Sequence, residues 1–305
     1  MIVSETRFQE KILSGEPLLV VEIVPPRSGD PAPVRAAAKR FAGKVHAVGV
    51  SDNRHGVCMS ALAASAVLAA EGAEPIMHLV TRDRNRLALI ASCLGAQAMG
   101  VRNLLCTSGT HQTLDICPSA KNVFDIDSVQ LIAALTNLGT DASVVSKTRI
   151  ENAGPFCVGG VASPFADPQE MQLIKASKKV LAGAQFLITQ PVFDVPRFCA
   201  WWEAASQRGL PQKTAILAGI HPLLDAEKAK AFASGRPLPM VPQAQLDRLA
   251  AAGGKEAQRA AGIELAVETI KQISASKGIR GFQICAEDDE EAVLEIIQRS
   301  GLEAR

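Results

Sequence analysis

"PLLVVEIVPPRSGD", residues 17–30, contains a contradiction. Leu18 to Val24 is apolar at every position but one, the pattern of a strand buried on both faces. The exception is Glu22, and Pro25-Pro26 then ends the strand. Similar short apolar runs recur along the chain: "VHAVGV" from 45, "PIMHLV" from 75, "RNLLCT" from 102, "PFCVGGV" from 155, "QFLITQ" from 185, "TAILAG" from 214 and "GFQIC" from 281. Segments of helical period separate them. "PVRAAAKRFAG", "MSALAASAVLAAEG" and "RNRLALIASCLGAQAMG" each close on a glycine, a C-cap signal. "DPQEMQLIKASKKVLAGA" opens with Asp167 as the expected cap and Pro168 at the first helical position. "GIELAVETIKQISASKG" from 262 is amphipathic. Eight strands, each followed by a helix, predict a (β/α)8 TIM barrel. A doubly wound open sheet shows the same alternation, and the count favours the barrel. The expected organisation is one domain over 1–305. The stretch 234–256, after the seventh strand, is read as an extra loop and short helix.

Composition narrows the function classes. The chain has 305 residues, 48% hydrophobic and 21% charged, with a formal net charge of +1, which argues against nucleic acid or an anionic membrane surface as partner. No apolar run reaches the roughly 20 residues of a membrane span. The mixed-charge start "MIVSETRFQEKILSG" is no secretory signal, so the cytoplasm is the expected location. Seven dispersed cysteines without a C-x-x-C pair read as reduced thiols, not as ligands of a cluster or structural zinc. None of the five histidines stands at H-E-x-x-H or H-x-H spacing, so no metal site is expected. G-x-G-x-x-G, the P-loop and G-x-S-x-G are absent.

In a barrel the chemistry sits where strands end. Glu22 is near the end of its strand and should point into the barrel mouth. Burial there raises a carboxyl pKa, which suits a general acid. The alternative is an ion pair with Arg27 or another base. Other polar residues gather at the same ends: Ser51, Asp52 and Asn53; His78, Thr81, Arg82, Asp83 and Arg84; Thr107 to His111; Thr189 and Gln190; and His221. Together they describe a polar cavity for an organic ligand. Lys175, Lys178 and Lys179 form a basic stripe that reaches this cavity only if it lies near its helix's start.

Four motifs, in order and along essentially the whole chain, resemble the methylenetetrahydrofolate reductase family: "VEIVPPR" from 21, "HLVTRDRNR" from 78, "AGAQFLITQPVFD" from 182 and "AGIHPLLDAEKAKAFA" from 218. The "TRDRN" form resembles a branch found in acetogens and in some bacterial fusion proteins. The resemblance implies a flavin-containing (β/α)8 barrel that reduces 5,10-methylenetetrahydrofolate to 5-methyltetrahydrofolate. Glu22 matches the general acid that protonates N10, so that the five-membered ring opens before hydride arrives. Gln190 matches the glutamine contacting pterin and flavin, and Phe232 the aromatic against the aminobenzoate. Lys228 falls at the substrate tail, and Phe193 and Thr110 join the substrate contacts. For the flavin, the resemblance implies Ser51, His78, Arg82, Thr107, Ser108, Gly109, Thr110, Phe124, Gly159, Lys175, Lys178, Lys179 and Ile188.

Some positions depart from the family pattern. Gly109-Thr110 stands where Gly-Asp is usual. Val161, Phe165 and Gln172 replace polar groups toward the adenosine half of FAD, which leaves FMN open beside FAD. The end of the last strand, "CAEDDEE", lacks the common tyrosine and arginine. The resemblance also implies an oligomer, with electrons from NADH or NADPH, or from an iron–sulfur and zinc partner subunit. Two other readings stay open: a pterin-dependent methyltransferase barrel, and a non-catalytic assembly subunit.

Overall fold

The computed structural model describes residues 6–114, 117–138, 150–234, 241–287 and 289–304. All eight runs form strands: β1 Leu18–Ile23, β2 Ala47–Val50, β3 Pro75–Val80, β4 Asn103–Thr107, β5 Cys157–Ala162, β6 Phe186–Pro191, β7 Ala215–Ile220 and β8 Gly281–Ala286. They pair in parallel and in sequence order, and β8 returns to β1 to close the barrel. Closure rules out the open sheet. The helices are α1 Arg7–Ser14, α2 Ala32–Phe41, α3 Ala61–Ala70, α4 Arg86–Ala98, α5 Ser128–Thr136, α6 Gln169–Leu181, α7 Val195–Gln207, α8 Ala226–Ala233, α9 Gln243–Ala251, α10 Lys255–Ser274 and α11 Glu290–Ser300. Of the expected insertion, α9 and the start of α10 supply helices, while residues 235–240 lie outside the described residues.

Strand alternation sorts the core into two layers. Leu19, Val21 and Ile23 face outward, in one cluster with Ala37 and Phe41 of α2. Leu18 and Val20 face inward with Ile76, Leu105, Phe186, Ile188 and Leu217. Phe8 and Ile12 of α1 complete this inner cluster, and Phe8 meets the Phe186 ring edge-on at 5.2 Å. Burying each large side chain contributes ~1.5–3 kcal/mol.

Asp167 is not the cap of α6. Pro168 holds that place, and Asp167 instead accepts from Arg197 at 2.9 Å. At the closing seam Leu18 is in register with Gly281, whose φ is +136°, and a Cβ on Gly281 would lie 1.8 Å from the Leu18 carbonyl oxygen. Gly281→Ala therefore carries left-handed backbone strain of ~1–3 kcal/mol and overpacking of ~1–3 kcal/mol. A urea titration should show a clearly lowered midpoint; an unchanged midpoint would mean that the seam opens at no cost.

Candidate active site at the carboxyl ends of the strands

Glu22 follows Leu18 and Val20 on the inward face and is 7% exposed. Its two carboxylate oxygens are both engaged. Gln283 Nε2 of β8 donates to Oε2 at 2.7 Å, and Arg54 Nη1 of the β2–α3 loop donates to Oε1 at 2.9 Å. Arg27, the base nearest in sequence, turns to the His55 carbonyl instead. Arg54 changes the expected electrostatics. Burial is the strongest single influence on Glu22 and pushes its pKa up, but Arg54, His78 and His221 together outweigh it. The carboxyl sits below its ordinary value, contrary to the expectation from burial alone. Cys285, Glu22 and Glu287 in turn hold the Arg54 guanidinium firmly protonated.

Among the described residues, His78 Nε2 and Gln283 Oε1 near Glu22 are buried without a hydrogen-bond partner, as are Ser51 Oγ and Thr81 Oγ1 just past the ends of β2 and β3. Burial lowers the His78 pKa, which favours the neutral imidazole. A Cβ on Gly49 would stand 3.0 Å from His78 Nε2, so the glycine leaves that nitrogen its room. A Cβ on Gly159 would fall 2.4 Å from the Phe186 ring. Inward-facing Ile188 is buried two residues before Gln190, and the register of β6 shifts between Ile188 and Pro191. Such an irregularity re-aims a side chain beside a site, and Gln190 is half-buried there.

The loops after β3 and β4 are tied together through Arg82. Its guanidinium pairs with Asp83 at 2.7 Å and donates to the Thr110 carbonyl at 3.1 Å. The Thr107 carbonyl accepts from Thr81 N, and Ser108 Oγ donates to Ser128 Oγ at 3.3 Å. Gly109 has φ +79°. Phe124 is exposed and stacks on His111 with centroids 6.3 Å apart.

The lysine stripe is not at a helix start. Lys178 and Lys179 occupy the last turn of α6, and Lys175 and Lys178 are exposed. Lys179 folds inward, where its ammonium donates to the Val161 carbonyl near the end of β5. Burial brings its pKa down to about 8.

Phe232, Phe193 and Lys228 come together beyond β7. The Phe232 ring lies flat on His221, 4.6 Å away at 4°, and meets Phe193 edge-on at 5.9 Å. Lys228 and Phe232 line a cavity of about 430 Å³ whose wall also includes His221, Cys285 and Glu287.

Sequence reasoning passed over Arg54, Gln283, Cys285 and Glu287 as site residues. Gln283 carried the same signal as Glu22, a polar residue inside an apolar barrel strand. Arg54 carried none, because a loop arginine has no periodicity to betray it.

A closed parallel barrel with a buried carboxylate and aromatic walls at the carboxyl ends of its strands defines the (β/α)8-barrel class, with its candidate site where that fold places chemistry. A sequence profile described as methylenetetrahydrofolate reductase matches residues 7–301, and the chain belongs to that family. Methylenetetrahydrofolate reductase 1 of Schizosaccharomyces pombe is 29% identical over 233 residues, 74% of this chain and 35% of its own length. A probable methylenetetrahydrofolate reductase (NADPH) of Caenorhabditis elegans is 24% identical over 251 residues, 81% of this chain and 35% of its own length. The chain thus spans about a third of these relatives. An uncharacterized Clostridium thermocellum protein that binds two copies of 5-methyl-5,6,7,8-tetrahydrofolic acid superposes with TM-score 0.69 at 12% identity, over 97% of both chains. Riboflavin lyase, with modified FMN and riboflavin, gives 0.56 at 10% identity over 95% of this chain and 93% of its own. At those identities the two structures attest the fold. No described helix is long and apolar enough to cross a membrane.

Proposed function

We propose that this chain reduces 5,10-methylenetetrahydrofolate to 5-methyltetrahydrofolate with a bound flavin, Glu22 serving as the proton donor. The observation that carries this reading is Glu22 itself: an inward, buried carboxylate at the barrel mouth, fixed by Gln283 and Arg54 beside unpartnered Ser51 and His78. Those unpartnered atoms suit a flat heterocycle edged with ring nitrogens and carbonyls, as a flavin is. Ser51, His78 and Gly159 are its candidate contacts from the barrel, with Arg82 and Thr107 to Thr110 from the loops. Phe124, Ile188 and Lys179 complete that proposed set, with either FAD or FMN as the flavin, while the exposed Lys175 and Lys178, away from the start of α6, drop out of it. When bound, the flavin supplies hydride.

The chain's own residues supply the proton and the substrate's position. Gln283 holds the Glu22 carboxyl in one orientation. While Arg54 stays on Oε1 the carboxyl is ionised, so Glu22 acts as an acid only once the guanidinium has moved off it. Gln190 is the proposed pterin contact, with Thr110 across the mouth. Phe232 and Phe193 wall the aminobenzoate, and Lys228 attracts the glutamate carboxylates of the tail. Electrons come from NAD(P)H or from a partner subunit.

An anaerobic spectral titration of the purified chain tests this reading. Flavin bands that bleach with NADH and return with methylenetetrahydrofolate are expected of a self-sufficient reductase. Return with the folate after dithionite, without bleaching by NADH, points to a partner that delivers electrons. A protein that takes up no flavin on reconstitution overturns the reading and favours the methyltransferase or assembly alternatives.

A further inference from the structure

We propose that His221, Cys285 and Glu287 form a mononuclear site for a divalent metal ion of borderline softness, Zn²⁺ foremost. One donor atom from each of the three residues lies within 4.8 Å of the other two. They come from separate places in the chain: His221 follows β7, Cys285 is in β8 and Glu287 follows it. His55 arrives from the β2–α3 loop, and its Nε2 meets Glu287 Oε1 while His221 Nε2 stands 3.4 Å from Oε2. Thiolate, imidazole and carboxylate together make a donor set that selects zinc over magnesium or calcium.

Charge and packing agree with a metal. A divalent ion with the Cys285 thiolate and the Glu287 carboxylate sums to zero, and the adjacent Arg54–Glu22 pair is also neutral. Arg54 Nη1 stands 3.5 Å from Cys285 Sγ; burial nonetheless keeps the proton on that thiol, so a metal bound there displaces it. The Phe232 ring against His221 fixes the plane of that imidazole, as a supporting shell does for a ligating histidine. A hydrogen-bonded histidine–carboxylate network could use the same histidines and glutamate, but it has no use for a buried thiol aimed at both. The cluster lines the 430 Å³ cavity, whose wall also carries Lys228, Lys255, Arg259, Asp225 and Asp289. A coordination position open to a cavity is the arrangement of a catalytic metal, not a structural one. The site stands or falls independently of the reductase reading.

The test is cobalt substitution in the full chain. Protein stripped with a chelator is titrated with Co²⁺, and the spectrum of the metal-free protein is subtracted to cancel any flavin. Expected are saturable visible bands at one ion per chain, a near-ultraviolet thiolate-to-cobalt band, and displacement of both by Zn²⁺. Cys285→Ser should abolish the near-ultraviolet band. Glu287→Gln, at the half-exposed rim, should weaken binding by more than the ~10–100-fold that loss of an outer-shell partner costs. It gives the reading if the cysteine variant does not fold. No saturable bands, or a thiolate band that survives in Cys285→Ser, overturns the site.

Discussion

Glu22→Gln is expected to slow oxidation of the reduced protein by methylenetetrahydrofolate by roughly 10²–10⁴-fold, the usual contribution of a positioned general acid. The amide keeps the size of the carboxyl and can still accept from Gln283, but it has no proton of suitable acidity to give to N10. Flavin content and reduction by dithionite should be unchanged, because neither step uses that proton. Stopped-flow oxidation at a fixed pH separates these quantities. A rate within about tenfold of the parent would remove Glu22 from the role. Loss of flavin with the substitution would make it a binding residue instead.

The second large effect is expected at Arg54, and it follows from sign. In the empty site Arg54 is the chief influence holding the Glu22 pKa below its ordinary value, against burial, with His78 and His221 in support. An acid must be protonated to act. The pH profile of kcat/KM reports the free enzyme, so it should decline as pH rises through that lowered pKa and stay low across the neutral range. In Arg54→Met the guanidinium is gone and burial dominates, which carries the Glu22 pKa upward. The decline should then move to higher pH, giving the variant the larger share of its maximal rate near neutrality. A profile that does not move, or moves to lower pH, would mean that Arg54 does not control the acid.

Stability should shift in the matching direction. In the parent, a depressed folded pKa means that Glu22 contributes stability above its unfolded pKa and loses it as pH falls through the folded one. Arg54→Met removes that contribution. The cost should fall below the ~3–5 kcal/mol of breaking a fully buried pair, because the Arg54 side chain is 26% exposed and the stranded carboxyl can protonate.

Much of the fold was legible for a physical reason. A barrel strand is buried on both faces, so it must be written as a short apolar run, and all eight runs stood out. "PIMHLV" matches β3 residue for residue, while Val24, read as part of the first strand, falls just outside β1. The helix expected to start at Pro168 behind an Asp167 cap begins at Gln169 behind Pro168, and Asp167 accepts from Arg197 instead. Glu22 was conspicuous by the same logic, since a polar residue inside such a run is costly unless it has a use. The lysine stripe shows the limit of that logic. Periodicity put Lys175, Lys178 and Lys179 on one helix, yet Lys179 alone reaches the strand end, by folding its long arm back to Val161.

The sequence by itself thus determined eight strands alternating with helices, a count that favours a barrel, the strand ends where polar residues collect, and a carboxylate standing there. Only the tertiary structure decided what that carboxylate touches and whether it is charged. Gln283 and Arg54 are 261 and 32 residues away from Glu22 in the chain. Gln283 reaches it because the closing of β8 on β1 sets Cys285 opposite Glu22 and turns both inward, and Arg54 because β2 pairs with β1 at Glu22 and Gly49 and its loop leaves beside them. The gathering of His55, His221, Cys285 and Glu287 has the same origin. Local spacing encodes strands and helices, whereas the meeting of distant polar groups depends on ring closure and register, which no short stretch of chain contains.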